Sequence, residues 1–142
     1  MADSSMVPPT NSIYLGSTRS QHEHLVAQSG VVLKLGLLLL KSGASAYRVK
    51  ASMARLARAV GLEEHHSQVS FTEITTTAYS TGNFRTEIAE QRVMGISAYR
   101  MDLLSDFVSN LPEKISPQAA SAEIDRIATL PHLYSKFWLA LA

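Results

Sequence analysis

The sequence predicts an α+β domain with two N-terminal helices, a small antiparallel β-hairpin or meander, and then two to three C-terminal helices. Three observations lead to this prediction. Apolar residues recur at helical spacing up to residue 60. A stretch rich in Thr, Val, Ile and aromatic residues follows, and Thr81, Gly82 and Asn83 supply a turn within it. Helical spacing then returns after Gly95.

The composition is that of one rather apolar globular domain. The chain has 142 residues, of which 46% are hydrophobic and 18% charged, and its formal net charge is +1. A charge so close to zero argues against general binding of nucleic acid. The chain contains no cysteine, which excludes disulfides, thiolate catalysis and Cys-ligated zinc and fits a reducing compartment.

Composition also predicts the domain boundaries. Residues 1–20 are rich in Ser, Pro, Thr and Asn and lack the basic start and apolar core of a signal peptide, which indicates a flexible tail. Residues 21–131 are expected to form the single α+β domain. Residues 132–142 turn apolar and aromatic, which is typical of the start of a membrane helix behind an interfacial Trp/Tyr/Lys belt. An amphipathic terminal helix that docks on the core is the alternative.

The first predicted helix spans residues 21–42 and is apolar almost all round in its second half, as expected of the most buried helix of a small domain. Its apolar stretch is about 16 residues long and contains Gln28 and Lys34. It therefore falls short of the roughly 18–20 apolar residues that cross a bilayer. Gly43 then suits a left-handed helix end, and Ser45 can cap the next helix.

The second predicted helix, over residues 45–60, has two distinct faces. Its apolar stripe recurs at spacings of three and four and consists of Ala46, Val49, Met53, Leu56 and Val60. The opposite side carries Arg48, Arg55 and Arg58. We interpret these arginines as a solvated face, and contact with phosphates, anionic lipid head groups or an acidic partner is the alternative. Gly61 is expected to end the helix.

The Thr-rich segment over residues 67–93 predicts two or three antiparallel strands. Its many hydroxyls, including Thr75, Thr76 and Thr77, raise the alternative of an enzyme with a Ser or Thr nucleophile. Such an enzyme requires a concave pocket that holds one of these hydroxyls within hydrogen-bond reach of a His or Lys. The sequence has no G-x-S-x-G elbow, so no catalytic residue is predicted.

Two further helices are predicted after Gly95. The first carries an apolar stripe of Leu103, Leu104, Phe107, Val108 and Leu111 and ends at Pro112. Ser116 followed by Pro117 is a standard opening for the second, whose expected inward residues are Ala120, Ile124 and Ile127.

The histidines do not predict a metal site. His22 and His24 alternate on a helix start, and His65 and His66 are adjacent in sequence. Solvated side chains are the favoured interpretation of these histidines. The sequence as a whole predicts that the chain binds no metal, no cofactor and no nucleic acid.

Several short motifs, in this order and spacing, resemble the N-terminal part of the threonine/serine exporter (ThrE-like) family over residues 27–142. The first half of the resemblance rests on Leu39, Leu40, Ser42, Gly43, Ala44, Arg48, Val49, Ala59, Gly61 and Leu62. The second half rests on Arg92, Val93, Gly95, Ser116, Ala120 and Ile124. Family-motif positions of unknown role are Gly43, Ala44, Arg48, Val49, Gly61, Arg92 and Gly95.

The chain departs from the family pattern at two positions. Family members often carry an acidic residue near Ala44 or Ser45 and another just after the Arg48–Val49 pair, where this chain has Ser45 and Lys50. If those carboxylates have a role in family members, the residues at the same positions of this chain cannot supply it. The family's N-terminal part is also described as hydrolase-like, but the residues of this chain show no hydrolase machinery.

The resemblance implies a domain on the cytoplasmic face of the cell membrane that precedes a bundle of membrane helices. Its expected role is assembly or regulation of a small-metabolite exporter for threonine, serine or related compounds, rather than catalysis. The expected partner is the membrane region of the same or a companion protein. A stand-alone interaction module that forms homo-oligomers through its apolar C-terminus is a further alternative, beside the hydrolase-like enzyme.

Overall fold

The computed structural model describes residues 10–92, 95 and 97–130, with side chains from residue 18 onward. Within these residues, four helices flank a three-stranded antiparallel sheet, which confirms the predicted α+β class. The elements are, in chain order, α1 (Thr10–Lys41), α2 (Ala46–Ala59), β1 (Glu64–Val69), β2 (Glu73–Ser80), β3 (Asn83–Glu90), α3 (Ala98–Ser109) and α4 (Pro117–Thr129).

Helix α1 is the central element. It has 32 residues, about 48 Å at 1.5 Å per residue, and it contacts α2, α4, β2 and β3. Its residues Thr18–Lys41 are long and apolar enough to cross a membrane, with a mean hydropathy of 1.4, but 56% of that window is buried inside the domain. This degree of burial agrees with the prediction that the first helix is the core helix of the domain.

The start of α1 differs from the prediction. The helix begins at Thr10, so residues 10–20 of the segment expected to be a flexible tail are helical. Composition favoured a tail because Ser, Thr and Asn are only weak helix formers. Adding a residue to a helix that is already nucleated costs little, and the buried second half of α1 supplies that nucleus. Residues 1–9 and 131–142, which carry the rest of the predicted tail and the apolar C-terminus, lie outside the described residues.

Helix α2 packs its predicted apolar stripe against α1. Val49, Met53, Leu56 and Val60 are buried, as predicted, whereas Ala46, the first residue of the helix, is exposed. The two helices approach closely at Gly36, where an added Cβ would lie 2.4 Å from Sδ of Met53. A glycine at this point therefore sets the α1–α2 spacing.

The sheet is a meander in the order β1-β2-β3. Thr81 and Gly82 both have positive φ, at 49° and 76°, which is the conformation of a tight two-residue hairpin turn between β2 and β3. Alternate residues of β2 are buried against the helices, namely Ile74, Thr76, Ala78 and Ser80. The register then assigns the opposite, outer face to Glu64, His66, Gln68, Glu73, Thr75, Thr77, Tyr79, Phe84, Thr86, Ile88 and Glu90.

Helices α3 and α4 both begin at serine caps, Ser97 and Ser116, of which Ser116 was predicted from the sequence. The Ser116 hydroxyl accepts a hydrogen bond from the Ala119 N–H, and Pro117 follows at the first turn. On α4 the three predicted inward residues, Ala120, Ile124 and Ile127, are all buried. On α3 only part of the predicted stripe is fully buried, namely Leu104 and Val108, and its remaining residues are half-buried.

Candidate functional site

The family-motif positions Gly43 and Ala44 form the corner between α1 and α2. Gly43 has φ of 96°, a left-handed conformation that favours glycine. The Gly43 N–H donates to the Leu40 carbonyl at 3.1 Å, and the Ala44 N–H donates to the Leu39 carbonyl at 3.0 Å. These bonds satisfy carbonyls at the end of α1, and the Ser45 side chain then caps α2. The sequence interpretation of a helix stop followed by a helix start agrees with this geometry.

The structure brings a third motif position, Gly95, to the same corner. The Gly95 N–H donates to the Lys41 carbonyl at 3.1 Å, and the Ser97 N–H donates to the Ser42 carbonyl at 3.2 Å. The backbone that leads into α3 is therefore hydrogen-bonded to the last residues of α1. We call residues 41–45 together with Gly95 and Ser97 the helix corner.

The arginines of α2 are exposed, as predicted, but two of them also contact α3. Nη1 of Arg48 lies 3.0 Å from Sδ of Met101, near the start of α3. Nη2 of Arg55 donates to the Ser109 carbonyl at 3.3 Å, at the end of α3. The interpretation as a merely solvated face was therefore incomplete, because the two side chains join α2 to both ends of α3.

The remaining motif positions do not join the corner. Val49 is fully buried in the core. Gly61 ends α2 at its far end, with φ of 88°. Arg92 is exposed just after β3 and forms an ion pair with Glu90 at 3.3 Å. The motif thus combines core, turn and surface positions. Of its residues, only Gly43, Ala44, Arg48 and Gly95 lie at or beside the helix corner.

A concavity of about 540 Å³ lies where α2 meets the edge strand β1, and its lining includes Lys50, His65, His66, Ser67, Thr75 and Thr77. This is the type of pocket that a hydroxyl nucleophile would need. Within the described residues, however, none of its hydroxyls is hydrogen-bonded to a His or Lys. The Thr77 hydroxyl pairs with that of Thr86 at 3.0 Å, and His66 pairs with Glu64 at 2.7 Å. The contact between a nucleophile and its base is not formed here.

His65 lies on β1 and is half-buried. Burial lowers the pKa of His65, with a smaller contribution from the nearby His66. Its Nε2 is buried and has no hydrogen-bond partner among the described residues. The described part of the chain also holds no group of three or more His, Cys, Asp or Glu side chains that could bind a metal.

The lowered pKa of His65 predicts a pH effect on stability. The unfolded chain binds a proton to this histidine at a higher pH than the folded chain does, so stability should decrease as the pH falls below the ordinary pKa of about 6.5. Urea unfolding at pH 7.5 and pH 5 should show a smaller pH-dependent loss for His65→Gln than for the wild type. His22→Gln, at an exposed position on α1, is the control. Equal losses in all three proteins would contradict the prediction.

One polar cluster was not found by sequence reasoning. Lys34 on α1 donates to the Ser121 hydroxyl at 3.0 Å and forms an ion pair with Asp125, so it joins α1 to α4. The sequence signal was a single lysine within an apolar helix and a Ser/Asp pair four residues apart on another. Through these two contacts Lys34 holds Ser121 and Asp125 of α4 against α1.

Comparison with known proteins tests the family resemblance described above. The ThrE family model, described as "Putative threonine/serine exporter", matches residues 30–142, which is well over half of the chain and includes every motif position above. The search of curated proteins and the search of solved structures each found no match. The match confirms the resemblance seen in the motifs. The chain belongs to the threonine/serine exporter (ThrE) family.

Proposed function

We propose that this chain acts as the cytoplasmic N-terminal domain of a ThrE-family exporter and serves assembly or regulation of transport rather than catalysis. The family match over residues 30–142 carries this proposal. Membership of an exporter family implies association with a membrane. A solute path across a bilayer needs spanning segments, and the one described helix of sufficient length is packed inside the domain. The transport path is therefore assigned to other segments of the same or a companion protein.

The arrangement around α4 supports a role in assembly. Nη2 of Arg100 on α3 donates to the Ala128 carbonyl at 3.1 Å, in the last turn of α4. Lys34 holds the preceding turns of α4 against α1 through Ser121 and Asp125. The helix that leads into residues 131–142 is thus joined by polar contacts to both the core helix and α3. Contacts of this kind fix α4 within the domain, so a movement of the domain would also move the segment that follows α4.

The hydroxyls of the sheet support a non-catalytic role. Thr76 is buried, and its hydroxyl has no partner among the described residues. Thr77 is paired with Thr86. A nucleophilic hydroxyl requires a positioned base, and these side chains lack one. The alternative of a Ser/Thr enzyme rests on the concavity beside β1, so the concavity is the place to test it.

The test is to remove two basic side chains and one hydroxyl from the lining of that concavity. We expect a variant carrying Lys50→Met, His65→Gln and Ser67→Ala to export threonine and serine within about twofold of the wild-type rate. Loss of a required general base would instead lower the rate by about 100-fold or more. The measurement is export from cells that carry the natural gene, with the gene deletion as the zero level. Loss of export by a variant that still accumulates and folds would overturn the non-catalytic proposal.

A further inference from the structure

The outer face of the sheet is not covered by any described element. Helix α1 contacts β2 and β3, α2 contacts β1, and the buried residues of β2 lie on the opposite face. An antiparallel sheet with one free face normally presents polar side chains to water on that face. The outer face departs from this pattern along β3 and at the adjoining end of β2.

Large hydrophobic side chains are concentrated on this face. Phe84 is 68% exposed, Ile88 is 66% exposed and Tyr79 is 38% exposed. Tyr79 and Phe84 are cross-strand neighbours with ring centroids 6.1 Å apart. Phe71, 76% exposed, lies in the turn between β1 and β2. Exposed apolar patches of this kind mark interaction surfaces, and aromatic residues are frequent at their energetic centres.

The charges on the same face are mainly acidic. Glu64, Glu73 and Glu90 all belong to the outer face. Glu73 and Glu90 stand directly opposite each other on β2 and β3, an arrangement of like charges that destabilises a sheet. Arg92 is the cation beside these glutamates, and it forms an ion pair with Glu90. Since the whole chain has a net charge of +1, this acidic face is a local feature that a cationic partner would stabilise.

We propose that the outer face of the sheet docks on the basic cytoplasmic surface of the exporter's membrane region. This inference rests on the proposed function, which places the domain on the cytoplasmic side. The cytoplasmic ends and loops of membrane proteins carry an excess of Lys and Arg, which complements Glu64, Glu73 and Glu90. Phe84 and Ile88 then supply the apolar part of the contact along the edge strand β3, and the paired carboxylates supply its rim.

The charges argue against the other two occupants of such a face. An anionic lipid surface would repel the three glutamates. A second copy stacked on the same face would bring two acidic rims together, and like charges that meet across an interface oppose binding. A basic protein surface is the partner that fits both the apolar side chains and the acidic rim.

The experiment is site-specific photo-crosslinking in cells that carry the complete natural exporter. The photoreactive residue p-benzoylphenylalanine replaces Phe84 in one strain and Tyr47 in the other. Tyr47 is the matched control, because it is an aromatic residue that is 84% exposed but lies on α2, away from the sheet. We expect Phe84 to yield severalfold more adduct with peptides of the membrane region than Tyr47, as identified by mass spectrometry. Adding Glu73→Lys and Glu90→Lys should reduce that yield severalfold.

Each remaining outcome overturns the inference. Adducts of the Phe84 position with residues of a second copy's sheet would show a dimer face, adducts with lipid would show a membrane-lying face, and equal yields at both positions would show no docking. The side of the membrane is measured separately, by labelling a cysteine introduced at the exposed position Gln21 with an impermeant maleimide. Labelling in intact cells would contradict the cytoplasmic placement itself, whereas protection together with no specific adduct would contradict the docking alone.

Discussion

Replacing Gly36 with leucine is expected to destabilise the domain by about 2–3 kcal/mol, because it inserts a side chain where α1 and α2 are in closest contact. An added Cβ alone would lie 2.4 Å from Sδ and 3.1 Å from Cγ of the fully buried Met53. The gain in helix propensity over glycine, roughly 0.8 kcal/mol, offsets only part of this cost. Chemical denaturation monitored by circular dichroism measures the free energy of unfolding.

A control and a rescue separate this packing effect from a general effect of leucine in α1. Gly30 is in the same helix, but a Cβ there meets nothing within 4 Å, so Gly30→Leu should be neutral or slightly stabilising. Combining Gly36→Leu with Met53→Ala should cost less than the sum of the two single changes, because the shorter side chain leaves room for the leucine. Strict additivity, or an equal loss at Gly30, would show that the close contact does not set the spacing of the helices.

Truncating Ile124 to alanine is expected to cost about 3–4 kcal/mol, the range for removing a large buried aliphatic side chain and leaving a cavity. Ile124 is fully buried and lies on α4, which packs against α1. Because α4 leads into residues 131–142, we also expect export by the complete protein to fall. The two measurements are urea unfolding of the domain and threonine export from cells.

The matched control lies on the same helix. Gln118 is exposed, so Gln118→Ala shortens a side chain without removing core contacts and should change the free energy of unfolding by less than about 0.5 kcal/mol. If Ile124→Ala were as mild as Gln118→Ala, the packing of α4 against α1 would contribute little to stability. If Ile124→Ala destabilised the isolated domain but left export intact, the proposed role of α4 in assembly would be contradicted.

Local chemistry explains which parts of the fold could be predicted. Ser45 and Ser116 cap helices where expected, and Gly43 and Gly61 end helices with positive φ. These signals act over a few residues and require no knowledge of the partners. The inward stripes of α2 and α4 were predicted for the same reason, since helical periodicity alone decides which side chains share a face.

Long-range contacts explain what could not be predicted. Arg48 and Arg55 were assigned to a solvated face, yet each contacts a residue of α3 more than fifty positions away. The link from Lys34 to Ser121 spans 87 positions. Helical periodicity places such side chains on the outside of their own helix, but it carries no information about which other element lies beside them.

The family and the α+β class follow from the order of short motifs and from the change in hydrophobic period, both of which are local properties of the chain. The convergence of Gly43 and Gly95 on one corner, and the exposure of Phe84 and Ile88 on the uncovered outer face, depend on how the elements pack. The sequence pattern of a strand shows that its side chains alternate between two faces. Only packing decides which of the two faces the helices cover. That choice is made by the burial of α1 against β2 and β3 and of α2 against β1, and the first of these contacts joins segments distant in the chain.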